Sequence, residues 1–275
     1  MPREIIDVLQ ELRAAREPHV LATVVETRGS VSAKTGAKAV IDAKGRIVAG
    51  WVGGGCAESS TAQQALECLR SRETAMLDID MDDEVLGAGM PCGGSMRVYV
   101  EPVLPRPRLW LMGHGRVSEC LCAVGDLMGL SVVVNDPLVT TERYPAAEQL
   151  ITDDMLYSQL TPAPDDFVVI ATQHKGDHES LKRALASEAG YIALIASRKR
   201  SRLVLDYLRD QGYGPNDLAR VMAPSGLDLG ARTPEEIALC VISEIVLIRR
   251  RGSGLRMREA AERVAAQARA TGVKG

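Results

Sequence analysis

The chain has 275 residues, with 33 lysines and arginines against 36 aspartates and glutamates, a formal net charge of −3 and 3% aromatic residues. This length suffices for two domains that each bury a core, whereas the slight negative charge and the scarcity of aromatic rings argue against nucleic acid as a partner. The sequence has neither an apolar run of about eighteen residues nor a signal region at its start, so we expect a cytoplasmic protein without a membrane span.

A strand, a glycine-rich loop and a helix form the first strong local pattern. Residues 20–25 are apolar and β-branched, which predicts a buried strand, and apolar side chains at 62, 65, 66 and 69 repeat at helical spacing. The loop between them contains Gly53, Gly54, Gly55, Cys56, Ala57 and Glu58. Glycines allow a ligand to approach backbone N–H groups, and the positive end of the helix dipole favours a thiolate at Cys56. The loop therefore predicts a reactive site, with a plain glycine turn beside a small buried cysteine as the alternative.

A second cysteine stands beside paired glycines, as Cys92, Gly93 and Gly94, ahead of an alternating strand. We predict that Cys56, Glu58 and Cys92 are catalytic, and that the glycines of both loops bind a cofactor. Because soft thiolates suit copper(I) or a molybdenum centre that carries sulfur, Cys56 and Cys92 are also candidate metal ligands. The sequence has no four-ligand pattern typical of structural zinc.

Prolines at 102, 105 and 107 mark a domain boundary, because proline cannot continue a helix or a central strand. We expect a first domain at 1–103, a second at 108–251, and a charged helix or tail at 252–275. The segment between the two domains is predicted to be a short, rather stiff linker.

The second half alternates between apolar strands and helices. Strands are predicted at 109–112, 132–136, 167–172 and 191–195. Thr233, Pro234 and Glu236 have the spacing of a helix start with a capping box, and the helix after them is predicted to bury apolar positions 237, 241, 245 and 248. Alternation at this spacing predicts a parallel, doubly wound sheet.

The turn after the first of these strands is a partial dinucleotide-binding fingerprint. Gly113 and Gly115 open a helix, and Asp136 stands about twenty residues further on, where such folds bind a ribose hydroxyl. Ser118 replaces the third glycine, and a doubly wound domain can keep this turn without binding a nucleotide. The candidate cofactor-binding residues of this half are Gly113, His114, Gly115, Arg116, Asp136, Thr172 and Ser197.

These motifs together resemble the XdhC/CoxI family, which comprises accessory proteins for molybdenum hydroxylases such as xanthine dehydrogenase and CO dehydrogenase. The matching segments are residues 22–30, 36–38, 53–58, 89–94, 172–177, 196–200 and 224–238. They occur in family order, and the resemblance implies an α/β protein with an amino-terminal α+β domain and a carboxyl-terminal Rossmann-like domain. Residues 31–34 depart from the pattern, since many members carry proline and basic residues there.

The resemblance implies a maturation chaperone that binds molybdenum cofactor, or a nucleotide form of it, and delivers it to the apo-enzyme of a molybdenum hydroxylase. Other maturation proteins are implied partners, and residues 172–177 suggest the CO dehydrogenase branch. FAD, NAD(P) or a cytidine nucleotide is the expected ligand of the Rossmann-like domain. Two alternatives stay open, namely a flavin- or nicotinamide-dependent oxidoreductase of metal-centre assembly and a scaffold that docks maturation proteins. We expect an accessory protein rather than a stand-alone enzyme.

Both halves thus carry part of the expected cofactor site. Doubly wound sheets bind ligands at the carboxyl ends of their strands, where Gly113, Asp136 and Thr172 stand. We expect these strand ends to face the two glycine loops of the first domain. The short proline segment suits this arrangement either within one chain or across the interface of a homodimer.

Overall fold

Residues 4–80, 94–172 and 176–270 are described by a computed structural model, in which the chain divides into two units, Met1–Arg106 and Pro107–Gly275. Cys92 and Gly93 lie outside the described residues, so their predicted roles stay predictions. The first unit is α+β and the second is a Rossmann-like parallel α/β unit, which confirms the predicted fold class. Within the described ranges, no helix is long and apolar enough to cross a membrane.

Within its described residues, the first unit forms a five-stranded antiparallel sheet and two helices. Its elements are α1 (Ile5–Ala14), β1 (His19–Gly29), β2 (Lys38–Asp42), β3 (Ile47–Gly50), α2 (Cys56–Ser71), β4 (Ala75–Asp80) and β5 (Gly94–Val103). The strand order is β3-β2-β1-β5-β4. Ala39 and Ile41 of β2 pack in the core cluster that includes Ala57 and Ala65 of α2. Val40, whose side chain points to the opposite face, packs instead with α1, so both faces of the sheet bury apolar residues.

The buried face of α2 differs from the predicted stripe. Its buried residues are Ala57, Thr61, Ala65 and Cys68, whereas positions 62, 66 and 69 are only half-buried. Thr61 is polar and therefore gave no core signal in the sequence. Its hydroxyl donates a hydrogen bond of 2.7 Å to the Ala57 carbonyl oxygen, which satisfies it inside the core.

β5 continues through Pro102, so the prediction that this proline ends the strand is wrong. Pro102 lies opposite Val20 of β1, while the pairing of β4 with β5 extends only as far as Ala75 opposite Val100. Beyond Val100 the strand therefore has one neighbour instead of two. Because proline lacks an N–H group, it is tolerated in a strand where one edge is unpaired.

A six-stranded parallel sheet forms the centre of the second unit. Its elements are β6 (Arg108–Met112), α3 (Arg116–Leu127), β7 (Ser131–Asn135), β8 (Gln149–Ile151), β9 (Phe167–Ile170), α4 (Asp177–Leu185), β10 (Tyr191–Leu194), α5 (Arg198–Asp210), α6 (Pro215–Leu218), β11 (Val221–Met222), α7 (Pro234–Arg250) and α8 (Met257–Ala270). The strand order is β11-β10-β9-β6-β7-β8, and every neighbouring pair is parallel. This is the order of a dinucleotide-binding fold, in which the chain changes direction across the sheet between β6 and β9.

Helices cover both faces of this parallel sheet. Leu121 of α3 and Val241 of α7 pack in one core cluster. Leu181 of α4 and Val204 of α5 pack in the other. Since neighbouring strand residues point alternately to the two faces, the four inner strands β6, β7, β9 and β10 are buried on both sides, which explains their continuous apolar runs in the sequence.

The start of α7 follows the predicted capping pattern. Thr233 Oγ1 accepts a hydrogen bond of 3.2 Å from the Glu236 N–H, and Glu236 Oε2 accepts one of 3.0 Å from the Thr233 N–H. Val241 is buried as predicted, but Ile248 is 41% exposed. The last turn of α7 therefore extends past the core cluster, so the apolar period of the helix overestimates the length of its buried face.

Candidate functional site

The glycine-rich loop that joins β3 to α2 uses its glycines for different reasons. Gly53 and Gly55 have φ values of +115° and +55°, a region that favours glycine. A Cβ atom at Gly53 would also lie 3.3 Å from the Ala57 Cβ atom. Gly54 has neither a positive φ nor any atom within 4 Å of such a Cβ. The turn therefore needs glycine at positions 53 and 55. Neither the backbone conformation nor packing requires glycine at 54, where the absent side chain leaves the backbone accessible.

Cys56 is the first residue of α2 and directly follows Gly55, which is the N-cap of the helix. It is exposed and has a free thiol. The positive end of the helix dipole stabilises negative charge at this position. Glu58 lies half-buried in the same first turn. Its carboxylate also suits the helix dipole, so the position of Glu58 has a structural reason as well as the predicted catalytic one.

Two backbone amides near Cys56 are satisfied within the turn. The Ala57 N–H donates to the Gly54 carbonyl oxygen at 3.3 Å, and the Ser59 N–H donates to the Gly55 carbonyl oxygen at 3.1 Å. The first N–H groups of a helix otherwise lack intrahelical acceptors. An anion at this helix end would therefore meet the Cys56 thiol and the N–H groups of Cys56 and Glu58.

Gly94, from the second glycine motif, is required by packing. A Cβ atom at this position would lie 2.6 Å from the Arg28 carbonyl oxygen and 2.9 Å from the Ser30 nitrogen. Ser32, in the segment between β1 and β2, approaches the other glycine loop, because its Oγ atom would be 3.6 Å from a Cβ at Gly53. The segment 30–33, which covers most of the departure from the family pattern, therefore adjoins both glycine motifs.

No group of three histidine, cysteine or carboxylate side chains is arranged to hold a metal ion in the part of the chain that the structure describes. The predicted pair of metal ligands, Cys56 and Cys92, stays a prediction because Cys92 lies outside that part.

In the second unit, Gly113 directly follows β6, which lies beside β9 where the chain changes direction across the sheet. Its φ is +116°, and a Cβ atom there would lie 2.3 Å from the Ala171 carbonyl oxygen, just after β9. The Gly113 N–H donates to the Asn135 carbonyl oxygen at 3.0 Å. Gly113 thus has a packing role that is independent of any ligand.

Gly115, the second glycine of the turn, is bonded to a side chain that the sequence did not single out. Its φ is +111°, and its N–H donates to the Tyr144 hydroxyl at 3.1 Å. Tyr144 is buried, and burial raises the pKa of its phenol. Ser118, at the position of the third glycine, donates from Oγ to the Gly113 carbonyl oxygen at 3.0 Å. These contacts fix the turn tightly without a bound nucleotide.

His114 and Asp136 lie together at the ends of β6 and β7. His114 Nδ1 is 2.9 Å from Asp136 Oδ1, and the same carboxylate accepts a hydrogen bond of 2.9 Å from the Leu138 N–H. The side chains are 23% and 13% exposed, so both are reachable by a ligand. Arg116 is turned to α7 instead, where its Nη2 atom lies 2.9 Å from Glu235 Oε1. The structure therefore brings two of the predicted side chains together and gives Arg116 a separate partner.

Thr172 and Ser197 take part in different hydrogen bonds, one to the Asp177 side chain and the other at the start of α5. The Thr172 hydroxyl donates to Asp177, whose other carboxylate oxygen accepts a hydrogen bond of 3.0 Å from Arg200 Nε. Ser197 is the N-cap of α5, and its Oγ accepts from the Arg200 N–H at 3.2 Å. Asp177 is 2% exposed, so this polar chain ties β9, α4 and α5 together inside the unit.

Tyr157 is a further polar residue of this edge that sequence reasoning missed. It has a positive φ of +54°, which is uncommon for a residue with a side chain. Burial, together with the negative charges of Asp136 and Asp177, raises the pKa of Tyr157, and its hydroxyl bonds to Ser180. No motif signals such a residue, because its neighbours come from several distant segments of the chain.

Two family profiles match the chain. Residues 12–80 match the XdhC and CoxI family, and residues 109–245 match the XdhC Rossmann domain. Each match falls within one of the two units.

The alignments with three curated relatives cover most of this chain. It is 32% identical to the Uncharacterized protein YqeB of Escherichia coli (strain K12) over 86% of its own length, although it spans only 44% of that relative. It is 25% identical to a probable xanthine dehydrogenase subunit from Bacillus subtilis (strain 168), over 89% of the chain and 97% of the relative. It is 23% identical to the Molybdenum cofactor insertion chaperone PaoD of Escherichia coli (strain K12), over 90% of the chain and 88% of the relative.

Among solved structures, a xanthine dehydrogenase from Bacillus halodurans aligns over 89% of the chain and 95% of its own length. The TM-score is 0.48 and the sequence identity is 23%.

Proposed function

This chain belongs to the XdhC and CoxI family, and we propose that it binds molybdenum cofactor, or a nucleotide form of it, and delivers it to a molybdenum hydroxylase. The relative named as a molybdenum cofactor insertion chaperone supports this proposal, since the similarity covers most of both chains. The observation that carries it is the exposed thiol of Cys56 at the start of α2, behind the open backbone of Gly54 and Gly55.

Cys56 is suited to bind a cofactor temporarily rather than to form a permanent cofactor site. A thiolate is a soft ligand that matches a molybdenum centre carrying sulfur. The positive end of the helix dipole stabilises an anionic group of the cofactor that lies beside it. Because Cys56 and Gly54 are exposed, a ligand held there can pass to a second protein without unfolding the loop.

The Rossmann-like unit would bind the nucleotide end of such a cofactor through side chains. Asp136 can accept hydrogen bonds from ribose hydroxyls, and His114 lies 2.9 Å away to hold its orientation. The N–H groups of Gly113 and Gly115 are bonded to Asn135 and Tyr144. These two N–H groups are therefore already occupied, so side chains rather than the backbone of the turn would hold a nucleotide.

Loading the purified chain with molybdenum cofactor tests the proposal. We expect Cys56→Ser to retain at least about tenfold less molybdenum per chain than the wild type, because it loses a ligand to the metal centre. Cys120→Ser is the matched control, since Cys120 lies half-buried on α3 in the other unit, and it should retain as much molybdenum as the wild type. Elemental analysis after gel filtration gives the ratio of molybdenum to protein.

Thermal unfolding of both variants should match the wild type, because Cys56 is exposed and Cys120 is only half-buried. Equal retention by Cys56→Ser and the wild type would sink the role of this thiol. A wild-type chain that never retains cofactor, yet forms a complex with a hydroxylase or another maturation protein, would establish the scaffold alternative instead.

A further inference from the structure

A second cleft lies in the Rossmann-like unit, away from the turn at Gly113. Its volume is about 360 Å³, and one wall is α5, from Arg198 to Arg209, while the other is the segment after β11, at Ala223 and Pro224. β10 and β11 are parallel neighbours, so both walls stand at the carboxyl ends of adjacent strands. β9 separates this pair of strands from β6, where the predicted nucleotide turn begins.

The α5 wall carries two arginines without a carboxylate partner among the described residues. Arg198 and Arg202 are one helical turn apart, are exposed and line the cleft. Two other arginines of the same helix are paired, Arg200 with Asp177 at 3.0 Å and Arg209 with Asp206 at 2.6 Å. The carboxylate of Asp206, which also lines the cleft, is therefore balanced by Arg209.

Ser201 gives an independent reason to expect a ligand. Ser201 is one of the residues that line the cleft, it is 2% exposed, and its Oγ atom has no hydrogen-bond partner within the described part of the chain. Buried hydroxyls in folded proteins are almost always hydrogen-bonded. A ligand with acceptor oxygens in the cleft would supply the missing partner.

The opposite wall is held in place by hydrogen bonds behind it. Ser225 Oγ donates to the Leu194 carbonyl oxygen at 3.2 Å, and the Gly226 N–H donates to Glu244 Oε2 at 3.0 Å. The Tyr191 hydroxyl donates to that same Glu244 oxygen at 2.6 Å. A ligand therefore meets a wall that is already ordered, which lowers the entropic cost of binding.

We infer that this cleft binds a phosphate group. Arg198 and Arg202 would pair with its oxygens, because the planar guanidinium matches phosphate geometry. The Ser201 hydroxyl would donate a hydrogen bond, and the positive end of the α5 dipole adds to the attraction. The inference does not depend on the proposed function, since it concerns the phosphate alone and not the molecule that carries it.

Calorimetric titration of the full chain with inorganic pyrophosphate tests this inference. We expect saturable binding with one site per chain, weakened about tenfold by either Arg198→Gln or Arg202→Gln. Lys199→Gln is the matched control, because it removes the same charge from an exposed neighbour on α5 that does not line the cleft. It should change the dissociation constant by less than about twofold.

Ser201→Ala gives a second readout that separates binding from folding. The substitution removes a hydroxyl that has no partner among the described residues, so the melting temperature without ligand should not fall. The rise in melting temperature that pyrophosphate produces in the wild type should shrink or vanish.

Three outcomes would overturn the inference. The first is no saturable binding of pyrophosphate to the wild type, and the second is a Lys199→Gln variant that weakens binding as much as the two arginine variants. The third is a cleft that binds an acidic peptide but not pyrophosphate, which would make it a protein-docking surface.

Discussion

Gly113 and Gly54 are both part of glycine motifs, yet their surroundings differ. Gly113 has a positive φ, and a Cβ there would meet the Ala171 carbonyl oxygen at 2.3 Å. Gly54 has no such neighbour and no positive φ. The backbone of the sheet therefore accounts for Gly113 by itself, whereas Gly54 is the better candidate for a glycine that a ligand requires.

Gly113→Ala should destabilise the second unit by about 2–4 kcal/mol, since overpacking against backbone adds to the strain of a positive φ. Gly212→Ala is the matched control, because Gly212 has a φ of +93° but nothing within 4 Å of an added Cβ. It should cost only the strain, about 1–2 kcal/mol. Urea unfolding of both variants measures the difference, and equal losses would contradict the packing role of Gly113.

The described cysteines also differ in how far they are exposed to solvent. Burial raises the pKa of the Cys122 thiol to about 11, and burial raises that of Cys120 as well. Both thiols therefore stay protonated and unreactive at neutral pH. Cys56 alone among the described cysteines is exposed, which makes its alkylation selective and gives a direct way to label the proposed cofactor site.

At the scale of elements, local sequence signals located β1, β5 and the four inner strands of the parallel sheet, but gave no prediction for β3 or β4. The short strands β8 and β11 were missed, since they contain three and two residues and carry no alternation of their own. Both lie at the edges of the sheet, where pairing with β7 and β10 creates them. A strand this short forms because it pairs with its neighbouring strand, not because its own residues have a strong β propensity.

The capping box of α7 gives a prediction for one element. Thr233→Ala should destabilise the second unit by about 1 kcal/mol, because the Glu236 N–H loses its acceptor. Thr233→Ser keeps the hydroxyl and should lose much less. Thermal unfolding of the two variants checks this, and a Thr233→Ala variant as stable as the wild type would show that the cap is not needed.

At the scale of the whole molecule, each unit has core clusters of its own. Three tyrosines of the second unit, Tyr144, Tyr157 and Tyr191, share one electrostatic property. Burial raises the pKa of each above the ordinary value of 10, and a hydrogen bond from Tyr191 to Glu244 raises its pKa further. The folded unit therefore holds these protons more tightly than the unfolded chain does.

Because of this difference, the free energy of unfolding decreases as the pH rises above about 10. Unfolded tyrosines lose their protons near pH 10, so the stabilisation is fully present below pH 10 and is lost as the pH rises further. Each tyrosine contributes a slope of about 1.4 kcal/mol per pH unit in that range. Tyr191→Phe should remove one such contribution, because it removes the buried phenol whose pKa the fold raises. Urea unfolding between pH 9 and 11 measures the slopes, and equal slopes for wild type and Tyr191→Phe would refute this account.

Sequence patterns predicted the α+β and Rossmann-like units, the inner strands of the parallel sheet, the capped start of α7 and the position of Cys56 at a helix start. These features follow from residue periods, turn residues and caps, which act over a few positions of the chain. Two of the exceptions show where such local signals fail. Pro102 continues β5 because β4 ends before it, and Thr61 is buried because Ala57 accepts its hydroxyl.

The partners of the site residues became known from the folded structure. It paired Gly115 with Tyr144 and His114 with Asp136, and it placed Arg198 across a cleft from Pro224. These contacts join segments that are far apart in the chain, and they depend on strand order and on the loops at the strand ends. Local patterns carry no information on which distant groups will meet, so the partners of a binding residue emerge only when the sheet is assembled.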